Sequence, residues 1–226
     1  MIREMRGVCK PDPAKVRERN SDLETSLGSA VGFFKPVVRE AFVPPPTGVS
    51  PYSPPTWTGP SQYTLGGVVP LQLPVGHSET VSIALDVIRA YPNGFELHFV
   101  VATRLPLPTA FAGSWPPWEP GRSADPLRIG FEFANGRCAG EEYYDIFGEP
   151  KDQDGLPYVP IILLDGAMSG SHRLSLRAWC WPLPPIGPIT IYVEWEERGL
   201  AEKQVQVAGE IILAAAEAGV SVWQGK

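Results

Sequence analysis

Strict alternation of apolar and polar side chains is the pattern that most limits how this chain can fold. Residues 81–87 read VSIALDV, with Val81, Ile83, Leu85 and Val87 at every second position. Successive side chains of a β-strand point to opposite faces, so a period of two predicts a strand with one buried face. The same alternation recurs at residues 95–101, 127–133, 174–180 and 189–195.

Turn signals separate these segments. The pairs Asn93-Gly94 and Asn135-Gly136 are the strongest short-range indication of a β-hairpin. Prolines inside GVVPLQLP and YVPIILLDG predict edge strands, because proline cannot donate a hydrogen bond to a neighbouring strand. Only GEIILAAAEAG, near the C-terminus, has helical spacing. The 26 prolines and 23 glycines agree with many short elements joined by turns.

These patterns predict an all-β fold. The expected architecture is an antiparallel β-sandwich, immunoglobulin-like or jelly-roll-like, with a short C-terminal helix and an N-terminal arm that is partly helical and partly extended. The predicted boundaries are 1–43 for the arm, 44–65 for a proline-rich linker and 66–226 for the sandwich with its closing helix.

The arm ends in a segment too apolar to remain in water. Its large apolar residues are Phe33, Phe34, Val37, Val38 and Phe42. We expect this segment to bind the sandwich, a second copy of the chain or a protein partner. Residues 44–60 contain seven prolines and read as an extended spacer. The P-x-x-P spacing Pro51–Pro54 leaves open a second role, as a ligand for an aromatic groove.

Charge and targeting signals narrow the function classes. The net charge is -6, and residues 44–226 carry 19 acidic against 11 basic residues, so nucleic acid and anionic membranes are poor electrostatic partners. We find no secretory signal and no apolar run of about 18 residues, and expect a cytoplasmic protein with reduced thiols.

Familiar catalytic motifs are missing from the sequence. There is neither a P-loop nor a G-x-G-x-x-G fingerprint, and the three histidines are scattered. Asp152 and Asp154, in KDQDGL, are weak candidates for a cation site, because no acid follows at the closing position. We therefore predict no cofactor and no metal.

Tryptophans supply the candidate ligand surfaces. Trp115 and Trp118 fall in a predicted loop, whereas Trp179 and Trp181 fall on the polar side of a strand, beside Arg173 and Arg177. That pair either lies covered by these arginines and the closing helix, or forms an open stacking platform. Trp195 alternates with apolar residues and is predicted to be core.

Two segments resemble a known family. WCWPLPPIGPITIYVEWEERGL and RAYPNGFELHFVVATRL are similar to an uncharacterised family of bacterial proteins, common in high-GC Gram-positive species. That family pairs W-x-W-P-L-P-P-x-G-P with a strand ending in E-W and a short helix. The resemblance covers roughly residues 66–223. It implies an intact sandwich in the cytoplasm, and the family brings no assigned activity or catalytic residue.

Three functions are compatible with the sequence. The favoured hypothesis is a non-enzymatic protein-interaction or scaffolding module, with the N-terminal arm as the contact to a partner or to a second copy. An alternative is a sandwich that binds carbohydrate or another small ligand on exposed tryptophans. A third is a hydrolase with an acidic or metal site around residues 141–154, which would need carboxylates or a histidine to converge in one cleft.

Overall fold

The computed structural model describes residues 54–107, 127–140 and 151–223. These residues are mostly antiparallel β-strands in three sheets, followed by one short helix, as the alternating sequence predicts. The strands are β1 Thr64–Leu65, β2 Gly67–His77, β3 Val81–Tyr91, β4 Gly94–Thr103, β5 Arg128–Glu132, β6 Cys138–Gly140, β7 Ile161–Gly170, β8 Arg173–Trp181, β9 Pro188–Trp195, β10 Leu200–Ala208 and β11 Val220–Ser221. The helix, α1, is Gly209–Glu217, and a three-ten turn occupies Glu196–Arg198.

Two of the sheets enclose the core. One has five strands in the order β2-β3-β4-β8-β7, and the other has four in the order β10-β9-β5-β6. The predicted inward residues of β4, β5 and β9 are all buried, and the rings of Phe95 and Phe131 meet across the two sheets with centroids 6.0 Å apart. Trp195 is also buried, as predicted. The third sheet pairs β1 with β11.

A bulge changes the predicted faces of β3. The register against β4 shifts between Leu85 and Val87, so the alternation slips by one residue there. Ile88 and Ala90 are fully buried in place of Val87, which pairs with His98. The prediction that Val87 points inward is therefore wrong, since a one-residue slip moves the following side chains to the other face.

The two predicted hairpins form differently. At Asn135-Gly136, Gly136 has a φ of 79°, a left-handed conformation that glycine adopts readily. Between β3 and β4, the two turn residues are Pro92 and Asn93, and Gly94 already belongs to β4. A Cβ on Gly94 would lie 2.6 Å from the ring of Trp179, so this glycine makes room for a side chain and not for a turn.

Edge positions follow the prolines. β2 and β7 are the outer strands of the five-stranded sheet, as predicted from their prolines. β10 was not predicted, because most of its side chains are exposed and polar, while Leu200 and Val207 are buried.

Helix α1 confirms the predicted closing helix and inserts Ile212 and Ala216 into the core. Within the described ranges, no helix is long and apolar enough to cross a membrane.

Candidate functional site

A short segment from the predicted linker lies packed on the body. We call residues 55–61, PTWTGPS, the strap. Its Trp57 is only 1% exposed, and a turn closed by hydrogen bonds from Thr58 N–H and Oγ1–H to the Pro55 carbonyl brings the chain back. Part of the predicted 44–65 linker therefore packs on the body. The predicted domain boundaries stay predictions.

Asn93 fastens both ends of the strap. Its Nδ2 donates to the carbonyls of Thr56 and Gly59, and its Oδ1 accepts from Ser61 N–H at 3.2 Å. One side chain in the β3–β4 turn thus satisfies three backbone groups of a segment more than 30 positions earlier in the chain. Backbone N–H and C=O groups that are shielded from water need such partners.

Trp179 forms the floor under the strap. Its Nε1–H donates to the Trp57 carbonyl at 2.8 Å, and its ring lies tilted against Tyr91 at a centroid distance of 6.0 Å. Lys151 Nζ stands 5.5 Å from the centroid of the Trp57 ring, within cation–π range. We call Tyr91, Asn93, Lys151 and Trp179 the socket.

The socket decides between the two interpretations of the Trp179 face. Trp179 is only 5% exposed, so it is covered. The cover is the strap, whereas the sequence pointed to the arginines and the closing helix. Trp181 is partly buried at the end of β8. In this arrangement Trp179 has no face open for stacking on a ligand.

A buried carboxylate lies beside the socket. Glu96 is 4% exposed, pairs with Trp179 across β4 and β8, and accepts hydrogen bonds from Tyr91 Oη–H at 3.2 Å and His98 Nε2 at 3.1 Å. Arg177 Nε is 3.8 Å from the same carboxylate, and Arg177 also bonds Asp165 at 2.5 Å. These five residues form what we call the Glu96 cluster: Tyr91, Glu96, His98, Asp165 and Arg177.

The neighbours of Glu96 stabilise its negative charge. Burial alone would raise the pKa of Glu96, but the hydrogen bond and charge of His98, the charge of Arg177 and the Tyr91 hydroxyl together hold that pKa below its usual value. The pKa of Tyr91 is raised, first by burial and then by the neighbouring Glu96 charge. Glu96 is therefore an ionised, fully bonded carboxylate whose role in the cluster is to fix its neighbours.

A shallow groove of about 350 Å³ continues from the cluster along the outer face of the five-stranded sheet. Its polar lining comes from Asp86, His98, Asp165, Ser175 and Arg177. Asp165 and Arg177 neutralise each other, and His98 bonds Glu96. Among the described residues, no group of three His, Cys, Asp or Glu side chains is placed to hold a metal ion.

Asp152, one of the weak cation candidates, stabilises a turn through its side chain. Its Oδ1 accepts from the N–H groups of Asp154 and Leu156, each at 2.9 Å, and its own N–H bonds the Leu156 carbonyl. Such a local side-chain-to-backbone pattern is what aspartate does in turns. Residues 141–150, the rest of the candidate acidic site, lie outside the described residues.

The β1–β11 sheet carries an apolar surface. Leu65 lies directly opposite Val220, and Val222 N–H bonds the Tyr63 carbonyl, so strand alternation puts these four side chains on one face. All are exposed, and Trp223 follows at 74% exposure. We call Tyr63, Leu65, Val220, Val222 and Trp223 the apolar ribbon.

Sequence reasoning missed both the strap and the apolar ribbon. The strap sits in a stretch whose proline content indicates a spacer, and the only contrary signal is a tryptophan in that stretch. The ribbon strands have two residues each, too few to show any period.

Several predicted contact residues cannot be placed. Outside the described residues lie the arm residues Phe33, Phe34, Val37, Val38 and Phe42, and the loop residues Trp115 and Trp118.

Comparison of the chain with protein-family models, with curated proteins and with solved structures found no match.

Proposed function

We propose that this protein is a non-enzymatic interaction or scaffolding module that uses its N-terminal arm as a contact to a partner or to a second copy. The observation that best supports the proposal is the apolar ribbon. Its five large apolar side chains stand 44 to 74% exposed, on and directly beside the paired strands β1 and β11.

The size of the ribbon fits a contact surface. Exposed fractions of this order on side chains of this size amount to roughly 500 Å² of surface. The largest apolar patch on a typical monomer covers about 300–600 Å² and is often functional.

The bonding of the Glu96 cluster also supports this proposal. The Glu96 carboxylate is occupied by three neighbours, and the groove beside it is shallow. General acid–base work needs a group left free to exchange a proton with a substrate. In the Glu96 cluster, the carboxylates of Glu96 and Asp165 are already bonded to His98 and Arg177.

Light scattering of four proteins tests the proposal. The full chain is compared with a chain that starts at Pro54, which keeps the strap, and with the full-length variants Val220→Lys and Ile186→Lys. Ile186 is a matched control, because it is 78% exposed on the connector before β9 and lies outside the ribbon. Circular dichroism first establishes that each protein is folded.

We expect the full chain and Ile186→Lys to associate at micromolar concentration, and the other two proteins to associate at least about tenfold more weakly, since a lysine in the contact must be desolvated. Association that persists unchanged without residues 1–53 would show that the arm is not the contact. A full chain that stays monomeric at every concentration would contradict the second-copy form of the proposal.

A further inference from the structure

We propose that the socket is a peptide-binding site for a proline-flanked tryptophan segment, and that the strap is its ligand, held within the same chain. The strap precedes β1 in the sequence and belongs to none of the three sheets. It lies against Trp179 of β8 and the β3–β4 turn. The contacts between strap and socket have the form of peptide recognition and not of core packing.

The socket reads the strap mainly through its backbone. Four hydrogen bonds run from body side chains to peptide groups: three involve Asn93 and one comes from the Trp179 indole. Domains that bind extended peptides gain affinity from such main-chain bonds and specificity from side-chain pockets. Here the specific element is the Trp57 ring, buried to 1% exposure with the Lys151 ammonium 5.5 Å from its centroid.

The ligand is suited to binding as a separate segment. Pro55 and Pro60 flank the tryptophan and restrict the free segment, which lowers the conformational entropy lost on binding. The socket side chains are also held by residues outside the strap, since Trp179 lies close to Gly94 and against Tyr91, and Tyr91 Oη–H bonds Glu96.

Covalent attachment makes the strap a strong competitor. A short tether gives an effective concentration in the millimolar range, so a peptide in solution displaces the wild-type strap poorly. A chain without the Trp57 ring keeps the socket but loses the specific part of its own ligand. Such a chain should accept the missing ring from another molecule.

The test uses the full-length variant Trp57→Ala and a labelled synthetic peptide of residues 52–62, YSPPTWTGPSQ, which ends before the ribbon. Fluorescence anisotropy measures the dissociation constant. We expect saturable binding, at least about tenfold tighter to Trp57→Ala than to the wild-type chain. The same peptide with alanine at position 57 should bind at least about tenfold more weakly.

Two further variants locate the site. Asn93→Asp, added to Trp57→Ala, removes the amide donor to Thr56 and Gly59 and should weaken binding. Asn135→Asp is the matched control, since Asn135 precedes a glycine in the other hairpin turn and bonds only Arg137 N–H among the described residues. If Trp57→Ala does not fold, Trp57→Leu, which refills part of the socket, takes its place.

Absence of binding to a folded variant overturns the proposal, and so does equal binding of the alanine peptide or equal effects of the two asparagine changes. The result is independent of the proposed function, because the ribbon and the arm take no part in it. A Val220→Lys change in the Trp57→Ala chain should leave peptide affinity unchanged whether or not it alters self-association.

Discussion

Asn93 combines two roles at the scale of a single residue. It ends the turn between β3 and β4, and it bonds three backbone groups of the strap. In the sequence, only the first role is visible, because an Asn-Gly pair is a hairpin signal whatever the asparagine side chain touches. The second role depends on a segment distant in sequence, and no local pattern encodes it.

Replacing Asn93 by alanine should therefore cost more than the loss of a turn residue. Three backbone groups lose their partner, two of them in half-buried hydrogen bonds, and we expect the free energy of unfolding to fall by about 1–3 kcal/mol. Urea unfolding measures this change, and acrylamide quenching of tryptophan fluorescence should rise as the strap loosens. Asn135→Ala should change stability by no more than about 0.5 kcal/mol; equal losses in the two variants would refute the special role of Asn93.

Glu96 predicts a pH dependence with a defined sign. Its pKa in the folded protein is lowered, despite burial, by His98, Arg177 and Tyr91. The unfolded chain therefore binds more protons than the folded chain around the ordinary glutamate pKa of about 4.3, so this stabilisation is present above that pH. It is lost as the pH falls through the folded value.

The variant Glu96→Gln should lack this contribution. Between about pH 6 and pH 3, urea unfolding should show a shallower loss of stability in the variant than in the wild type. The glutamine keeps the shape and the ability to accept a hydrogen bond, so the difference isolates the charge. Parallel pH profiles would contradict the lowered pKa.

At the scale of elements, the contact between β2 and α1 requires a glycine. A Cβ on Gly67 would lie 2.0 Å from the Ala215 carbonyl oxygen, closer than atoms can approach. The variant Gly67→Ala must push the helix away from the sheet, and we expect a loss of about 3 kcal/mol or more. Gly140→Ala is the control, because a Cβ there meets nothing within 4 Å. Thermal unfolding of both variants measures the difference.

Helix α1 also starts without a side-chain cap. Its N-cap residue, Ala208, is extended, exposed and makes no capping hydrogen bond. A serine side chain at this position can accept from the N–H of the second or third helical residue, so Ala208→Ser should stabilise the protein by about 0.5–1 kcal/mol. A rise in the melting temperature checks this result. Unchanged or lower stability would mean that the pairing of Ala208 with Pro188 in β9 opposes the cap.

The elements that the sequence predicts are those that bury one whole face. β4, β5, β8 and β9 alternate cleanly, because one side of each strand enters the core. β3 follows the pattern up to Leu85 and departs from it at the bulge, which no residue in the sequence marks. β10 keeps two buried positions in nine residues and has no usable period.

The candidate site was less predictable than the fold. Burial of Trp179 follows from contact with residue 57, and a contact across 122 positions leaves no local signature. The composition of residues 44–60 indicates an extended segment, which is compatible with the strap but does not say what the segment touches. The Glu96–His98 contact could have been suspected, since residues two apart on a strand share a face.

At the scale of the whole molecule, the stability of a truncated chain should depend on whether it still includes the strap. A chain that begins at Pro54 keeps Trp57, whereas one that begins at Ser61 exposes Trp179 and leaves its Nε1–H to water. We expect the shorter chain to lose about 3–5 kcal/mol, the cost typical of deleting a buried tryptophan. Calorimetry of the two chains measures it, and equal melting temperatures would show that the strap adds nothing to folding.

The pairing of β1 with β11 has a practical consequence for engineering. Thr64 and Ser221 are direct partners in this two-stranded sheet, so their Cα atoms lie about 5 Å apart. A body whose two ends meet can be inserted into a surface loop of a host protein without stretching the host backbone. A guest that runs from Thr64 to Ser221 should therefore fit such a loop but lacks the strap, whereas a guest that starts at Pro54 keeps the strap and leaves the host at a different point.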